Sequence, residues 1–136
     1  MNQQNNTSAQ IVIIDDEASV HAEVADLLRD EGYICYEFNS VAAARRGIAD
    51  LSPDLIISDI NLDGDSGLEL CRELKNTYDL LHVPVIFLSG AEIPDIIRQA
   101  HAAGGSYYLR KPFDPNVLND LVHKALWMAY MPGTHV

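Results

Sequence analysis

The sequence predicts an α/β fold: a doubly wound, five-stranded parallel sheet with five helices. Strand-like apolar runs alternate with segments of helical periodicity along the chain, and the runs are continuously apolar, as strands buried on both faces require. Right-handed crossovers between parallel strands then place helices on both faces. With 136 residues, 48% hydrophobic and 21% charged, there is room for one core and none for a second domain.

The first strand runs from Ile11 to Asp15, and Val20, Val24, Leu27 and Leu28 then recur at helical spacing until Gly32 ends the helix. Tyr33 to Phe38 is the second strand. Ser40 caps a helix through Val41, Ala44, Ile48 and Leu51 that Pro53 closes. The third strand, Asp54 to Asp59, is followed by Ser66-Gly67-Leu68-Glu69, a capping box in which Ser66 and Glu69 each satisfy a backbone donor, and by a helix to about Thr77. Val83 to Ser89 is the fourth strand, with Pro84 at its start, where a missing donor is tolerated. Ile93, Ile96, Ile97 and Ala100 mark the fourth helix, Gly104-Gly105 break it, and Ser106 to Lys111 is the fifth strand. Asp114-Pro115 opens the last helix, which runs to Pro132-Gly133. Its core stripe is Leu118, Leu121, Val122, Ala125, Leu126 and Ala129, so at ~100° per residue Trp127 lies opposite, beside His123 and Lys124. An outward Trp is a plausible contact anchor, and Trp127 with Tyr130 is the candidate partner or homodimer surface. The competing reading is that Trp127 folds against residues 132–136 or is simply exposed.

The domain is expected over residues 10–131, after a polar arm (1–9) and before a tail or linker start (132–136). A net charge of −11 argues against direct nucleic-acid contact, which needs clustered Lys and Arg. The first eight residues lack the basic start and apolar middle of a signal peptide, and no apolar run has membrane-spanning length, so a cytoplasmic protein without membrane contact is expected. Cys35 and Cys71 lack metal-site spacing and read as buried apolar residues; the five histidines are scattered and read as surface residues.

Two apolar strands end in carboxylates, Ile14-Asp15-Asp16 and Ser58-Asp59. In doubly wound sheets ligands bind beyond the carboxyl ends of the strands at the switch in strand order, which is where Asp15, Asp16, Asp59, Ser89 and Lys111 all fall. Gathered carboxylates repel and raise one another's pKa, an arrangement tolerable mainly around a cation. Mg²⁺ suits it, with Asp16 and Asp59 as direct ligands. An incoming phosphoryl group would find its charge partly neutralised, Lys111 and the Ser89 hydroxyl could hold its oxygens, and Asp59 would be the nucleophile. With strand order 2-1-3-4-5 the fifth strand lies about 10 Å from Asp59, a gap that a long cation spans. A cis Lys111-Pro112 bond would help to aim it. Singly, Asp15-Asp16-Glu17 reads as a helix-start charge cluster, Ser89 as a strand-end hydroxyl, Lys111 as a solvated cation and Tyr108 as a half-buried aromatic; their combination argues otherwise. Asn61 stands where a dehalogenase-like phosphatase would need a second acid, and Asp-Asp-Glu in the first loop would repel a flavin phosphate.

Asp15-Asp16, Asp59, Ser89, Tyr108 and Lys111-Pro112, in that order and at those strand ends, resemble the receiver domain of bacterial two-component response regulators, over about residues 11 to 130. The resemblance implies a flavodoxin-like topology, Asp59 as phosphoacceptor, Asp16 as a direct metal ligand, Asp15 as a ligand largely through water, and the Asn61 carbonyl completing the set. It implies that Ser89 turns onto the new phosphoryl group, that Tyr108 moves inward, and that the face formed by the fourth helix, fifth strand and fifth helix changes shape. Mg²⁺ is the implied cofactor, a sensor histidine kinase or histidine phosphotransfer protein the implied donor, and a downstream protein effector the implied reader. Such a chain phosphorylates and dephosphorylates itself and is not a turnover enzyme. Two departures stand out: Asp63 replaces a frequent Pro, adding acidic charge and loosening the loop, and Ala91 is small where larger or polar groups influence water access. A non-phosphorylated pseudo-receiver scaffold, or a receiver fragment of a larger regulator or hybrid kinase, are the alternatives.

Overall fold

The computed structural model describes residues 8–90, 95–105 and 107–129; residues 1–7, Ala91, Ile93, Ser106, Tyr130 and the tail 132–136 lie outside them. In chain order the elements are β1 (Gln10–Ile14), α1 (Ala18–Asp30), β2 (Ile34–Phe38), α2 (Val41–Ile48), β3 (Leu55–Asp59), β4 (Asn61–Leu62), β5 (Asp65–Ser66), α3 (Gly67–Thr77), β6 (Val85–Ser89), α4 (Ile96–Ala102), β7 (Tyr107–Arg110) and α5 (Pro115–Ala129). Five of the strands form one parallel sheet, ordered β2-β1-β3-β6-β7, which is the predicted 2-1-3-4-5 order.

Side chains alternate across a strand, so each central strand feeds two cores. Val12, Ile14, Ile56, Val85 and Phe87 pack with residues of α2, α3 and α4. Ile11, Ile13, Leu55, Ile57, Ile86 and Leu88 pack with Val24 and Leu28 of α1 and Leu118, Val122 and Leu126 of α5. Burial on both faces is why these strands are apolar without interruption.

Local signals set the helix ends. Gly32, at φ 95°, donates to the Arg29 carbonyl while Tyr33 donates to that of Leu28, a Schellman stop that a Cβ would strain. Ser40 Oγ accepts the Ala43 N–H at 3.0 Å, and Asp114 Oδ1 accepts the Asn116 N–H at 2.8 Å one residue before Pro115.

Several expectations need correction. Only half of the capping box forms: Ser66 Oγ takes the Glu69 N–H at 3.2 Å, but the Glu69 carboxylate turns to Arg72 on the surface. Leu51 lies beyond the end of α2, and Ala129, the last residue of α5, is exposed. Ile97 is 70% exposed, off the buried side of α4. His21 is not a surface residue, its side chain being 15% exposed and 3.3 Å from Glu37. The antiparallel pair β4-β5 went unforeseen.

Candidate functional site

The site is built at the carboxyl ends of β1, β3 and β6 and just past β7. Asp15 follows β1 and extends the sheet by one hydrogen bond, from its N–H to the Phe38 carbonyl. Its carboxylate is 1% exposed, with Oδ1 accepting the Glu17 N–H at 2.9 Å. Asp59 ends β3, and its Oδ1 accepts the Asn61 N–H at 3.1 Å. Its backbone is fixed from below: Ser58 Oγ donates to the Asp59 carbonyl at 3.0 Å, and Gly67 at the start of α3 abuts that carbonyl so closely that no Cβ fits.

Lys111 arrives from the other side. Its N–H donates to the Ser89 carbonyl at 2.8 Å, the Lys111-Pro112 peptide is cis, and the ammonium reaches Asp59 Oδ2 at 2.7 Å, Glu17 Oε1 at 2.8 Å and Asp15 Oδ2 at 2.9 Å. Burial depresses the Lys111 pKa, but the carboxylates of Asp59, Glu17 and Asp15 outweigh burial and hold it above the usual lysine value. Burial likewise pushes the Asp15 carboxyl up, and the Glu17 N–H and Lys111 reduce that shift without cancelling it. The contact from Lys111 to Asp15 Oδ2 is an ion pair outside hydrogen-bonding direction, which leaves that buried oxygen without a hydrogen-bond partner.

Of the residues singled out in the sequence, Asp15, Asp59, Ser89 and Lys111 come together, and Ser89 is 2% exposed at the end of β6. Asp16, Asp59, Asn61 and Ser89 line a cavity of about 430 Å³ with Glu17 and Asp63. Asp16 is exposed at its edge, and the carboxylates with oxygens within 4.8 Å of one another are those of Asp15, Glu17 and Asp59. Three convergent carboxylates, one with an orphaned buried oxygen, suit a hard divalent cation. Tyr108 is half-buried on β7, in register with Phe87 and packed on the same core layer. Trp127 is 57% exposed, and His123 and Lys124 are exposed beside it.

Sequence reasoning missed Glu17, Ser58, Gly67 and the hairpin. The hairpin had a readable signal: Asp63-Gly64 between short strands is a favoured type I′ pair, and both residues have positive φ, 52° and 89°. Proline could not adopt the first value, so Asp63 accompanies a defined turn where a looser loop was expected. Ser58 read as one more position in a buried strand, and Glu17 as part of a helix-start cluster.

Comparison with known proteins points one way. The family profile of the response regulator receiver domain matches residues 11–123. The phosphate regulon transcriptional regulatory protein PhoB of Pseudomonas aeruginosa is 38% identical over 108 residues, covering 79% of this chain and 47% of PhoB. The chemotaxis protein CheY of the same organism is 31% identical over 121 residues, 85% of this chain and 94% of CheY. This chain thus spans about half the length of PhoB, and nearly all of CheY. The crystal structure of a CheY-like receiver domain protein from Methanospirillum hungatei superposes with a TM-score of 0.85 over 93% of this chain and 99% of that one; at 21% identity this is a likeness of fold.

Proposed function

The chain belongs to the response regulator receiver domain family of two-component systems, and from that premise we propose that it accepts a phosphoryl group on Asp59 in a Mg²⁺-dependent transfer. The observation that carries the reading is the 2.7 Å contact between Lys111 Nζ and Asp59 Oδ2, made across β6 to an aspartate that lines a cavity with Asp16, Glu17 and Asp63. A cation brought that far to one aspartate is where a phosphoryl group on that aspartate would need it.

One carboxylate oxygen of Asp59 forms the bond to phosphorus as the bond from phosphorus to the donor breaks, and the donor leaves with the electron pair. The Asn61 N–H on Oδ1 and the Ser58–Gly67 cradle under the carbonyl keep the Asp59 carboxylate aimed. Lys111 releases the carboxylate and passes to the phosphoryl oxygens, and the Ser89 hydroxyl takes another of them. Asp16 and Asp59, with Asp15 through water and the Asn61 carbonyl, would hold Mg²⁺, which neutralises phosphoryl charge when bound.

Residues 10–131 would form the receiver unit. Its donor would be a sensor histidine kinase or histidine phosphotransfer protein and its reader a protein effector, in the cytoplasm and without direct nucleic-acid contact. Ser89 and Tyr108 would carry the switch to the α4-β7-α5 face, with Trp127 and Tyr130 within a partner or homodimer surface. Intact mass after incubation with Mg²⁺ and acetyl phosphate tests the reaction. One phosphoryl adduct is expected on the wild type and none on Asp59→Asn; no wild-type adduct would leave a fixed scaffold as the function.

A further inference from the structure

Glu17 sits at the N-cap of α1, where a side chain ordinarily accepts a free helix N–H, yet its carboxylate makes no such bond. Its Oε1 instead accepts from Lys111 Nζ at 2.8 Å. An ammonium has three N–H groups, and here three carboxylates surround it, those of Asp59, Glu17 and Asp15. They are not equivalent. The Asp15 and Asp59 side chains are 1% and 7% exposed and tied to backbone N–H groups, whereas that of Glu17 is 57% exposed and can leave without burying a charge.

We propose that Glu17 is a brake on phosphoryl acceptance, a positioning residue that acts through Lys111. In the resting protein it takes a share of the one cation that reaches the Asp59 carboxylate among the described residues. It also sets a negative charge within 4.8 Å of an Asp59 carboxylate oxygen, where an anionic phosphoryl group must arrive. Both effects oppose the transfer. A like charge at that distance raises the energy of approach, and because the side chain is partly exposed, salt screens much of the effect. The inference rests on Asp59 being the acceptor.

The test compares wild type with Glu17→Gln, which keeps an oxygen for Lys111 and removes the charge. Mg²⁺ affinity is first titrated for each protein, so that any loss of metal binding is read separately and both are assayed at saturation. Intact mass then follows transfer from acetyl phosphate: a carboxylate oxygen of Asp59 bonds to phosphorus, the phosphorus–oxygen bond to the acetyl group breaks, and acetate departs. Glu17→Gln is expected to react about five to ten times faster at low salt, the gap narrowing as salt is raised. A merely structural role would not produce that salt dependence. An equal or slower rate at low salt, or a gain that salt leaves unchanged, would overturn the brake. No adduct on the wild type would instead overturn the acceptor reading on which the brake depends.

Discussion

Replacing Lys111 by methionine keeps most of the side-chain volume and removes the cation from among three carboxylates. In the wild type the ammonium lies 2.7, 2.8 and 2.9 Å from Asp59, Glu17 and Asp15, and the thioether can pair with none of them. Glu17 is largely solvated, so its share is small. Asp15 and Asp59 are not solvated, and removing one partner of a buried ion pair costs about 3–5 kcal/mol because it leaves an uncompensated charge. Their mutual repulsion, with oxygens within 4.8 Å, is about 3 kcal/mol at an effective dielectric of ~20, the same order and partly the same energy. Lys111→Met is therefore expected to lose about 3–5 kcal/mol at pH 8 without metal, a fall of roughly 10–20 °C in Tm. The pH dependence has a definite sign. Burial already raises the Asp15 carboxyl above its ordinary 3.8, and losing Lys111 raises it further, so the folded variant takes up a proton at pH values where the unfolded chain does not. The deficit shrinks as pH falls toward 3.8. At the alkaline end the raised Lys111 pKa means that wild-type stabilisation is complete below 10.5 and is lost as pH rises through the folded value, closing the gap from that side too. Urea unfolding at pH 5 and pH 8, with and without Mg²⁺, measures each effect, and added Mg²⁺ should recover part of the loss. A deficit below about 1 kcal/mol at pH 8 without metal, or one that grows on acidification, would refute the reasoning.

Three further outcomes follow from the same geometry. Gly67→Ala places a Cβ against the Asp59 carbonyl, so a loss of about 1–3 kcal/mol in urea unfolding is expected, with slower phosphorylation by acetyl phosphate because the acceptor is displaced. Burial pushes the Cys71 thiol up to about 12 and raises that of Cys35, so neither should react with a thiol reagent at pH 8 until urea unfolds the chain; rapid native labelling of Cys71 would contradict its place in the core. Trp127→Ala should change stability by no more than about 0.5 kcal/mol, since the ring is 57% exposed, while sedimentation or pull-down should show weakened association if the outer face of α5 is an interface.

The sheet was legible because its strands are buried on both faces: runs such as Ile11 to Ile14 and Leu55 to Ile57 admit few other readings, and parallel connectivity follows from the helices between them. The convergence of Asp15, Asp59, Ser89 and Lys111 was legible for the same reason, since the fold brings the carboxyl ends of β1, β3 and β6 together with the residue past β7. What escaped depends on side-chain direction and close approach. Glu17 belongs to the site because of the rotamer that takes it to Lys111, and spacing along the chain does not encode a rotamer. Gly67 looked like the second letter of a capping box; its reason is a carbonyl from β3 that only the folded chain brings against it. Leu51 was misplaced by extending a periodic pattern past the end of α2, where periodicity has no structural meaning, and Ala129 is the last residue of α5, on the pattern but exposed.

The same ladder that delivers Lys111 also limits how the site can change. The Lys111 N–H on the Ser89 carbonyl continues the β6–β7 register, in which Tyr108 is opposite Phe87 and Arg110 opposite Ser89. Lys111, Ser89 and Tyr108 therefore hang from one hydrogen-bonded frame, and sliding β7 along β6 would break that frame and lift residues out of both core layers. The economical change is a rotation of side chains about a fixed backbone. Ser89 and Tyr108 suit it: by strand alternation they lie on the same face of the sheet, in adjoining strands and two register positions apart, and Tyr108 is only half-buried. If Asp59 takes a phosphoryl group as proposed, Ser89 and Tyr108 are the side chains placed to respond to it without a shift of the strands that carry them.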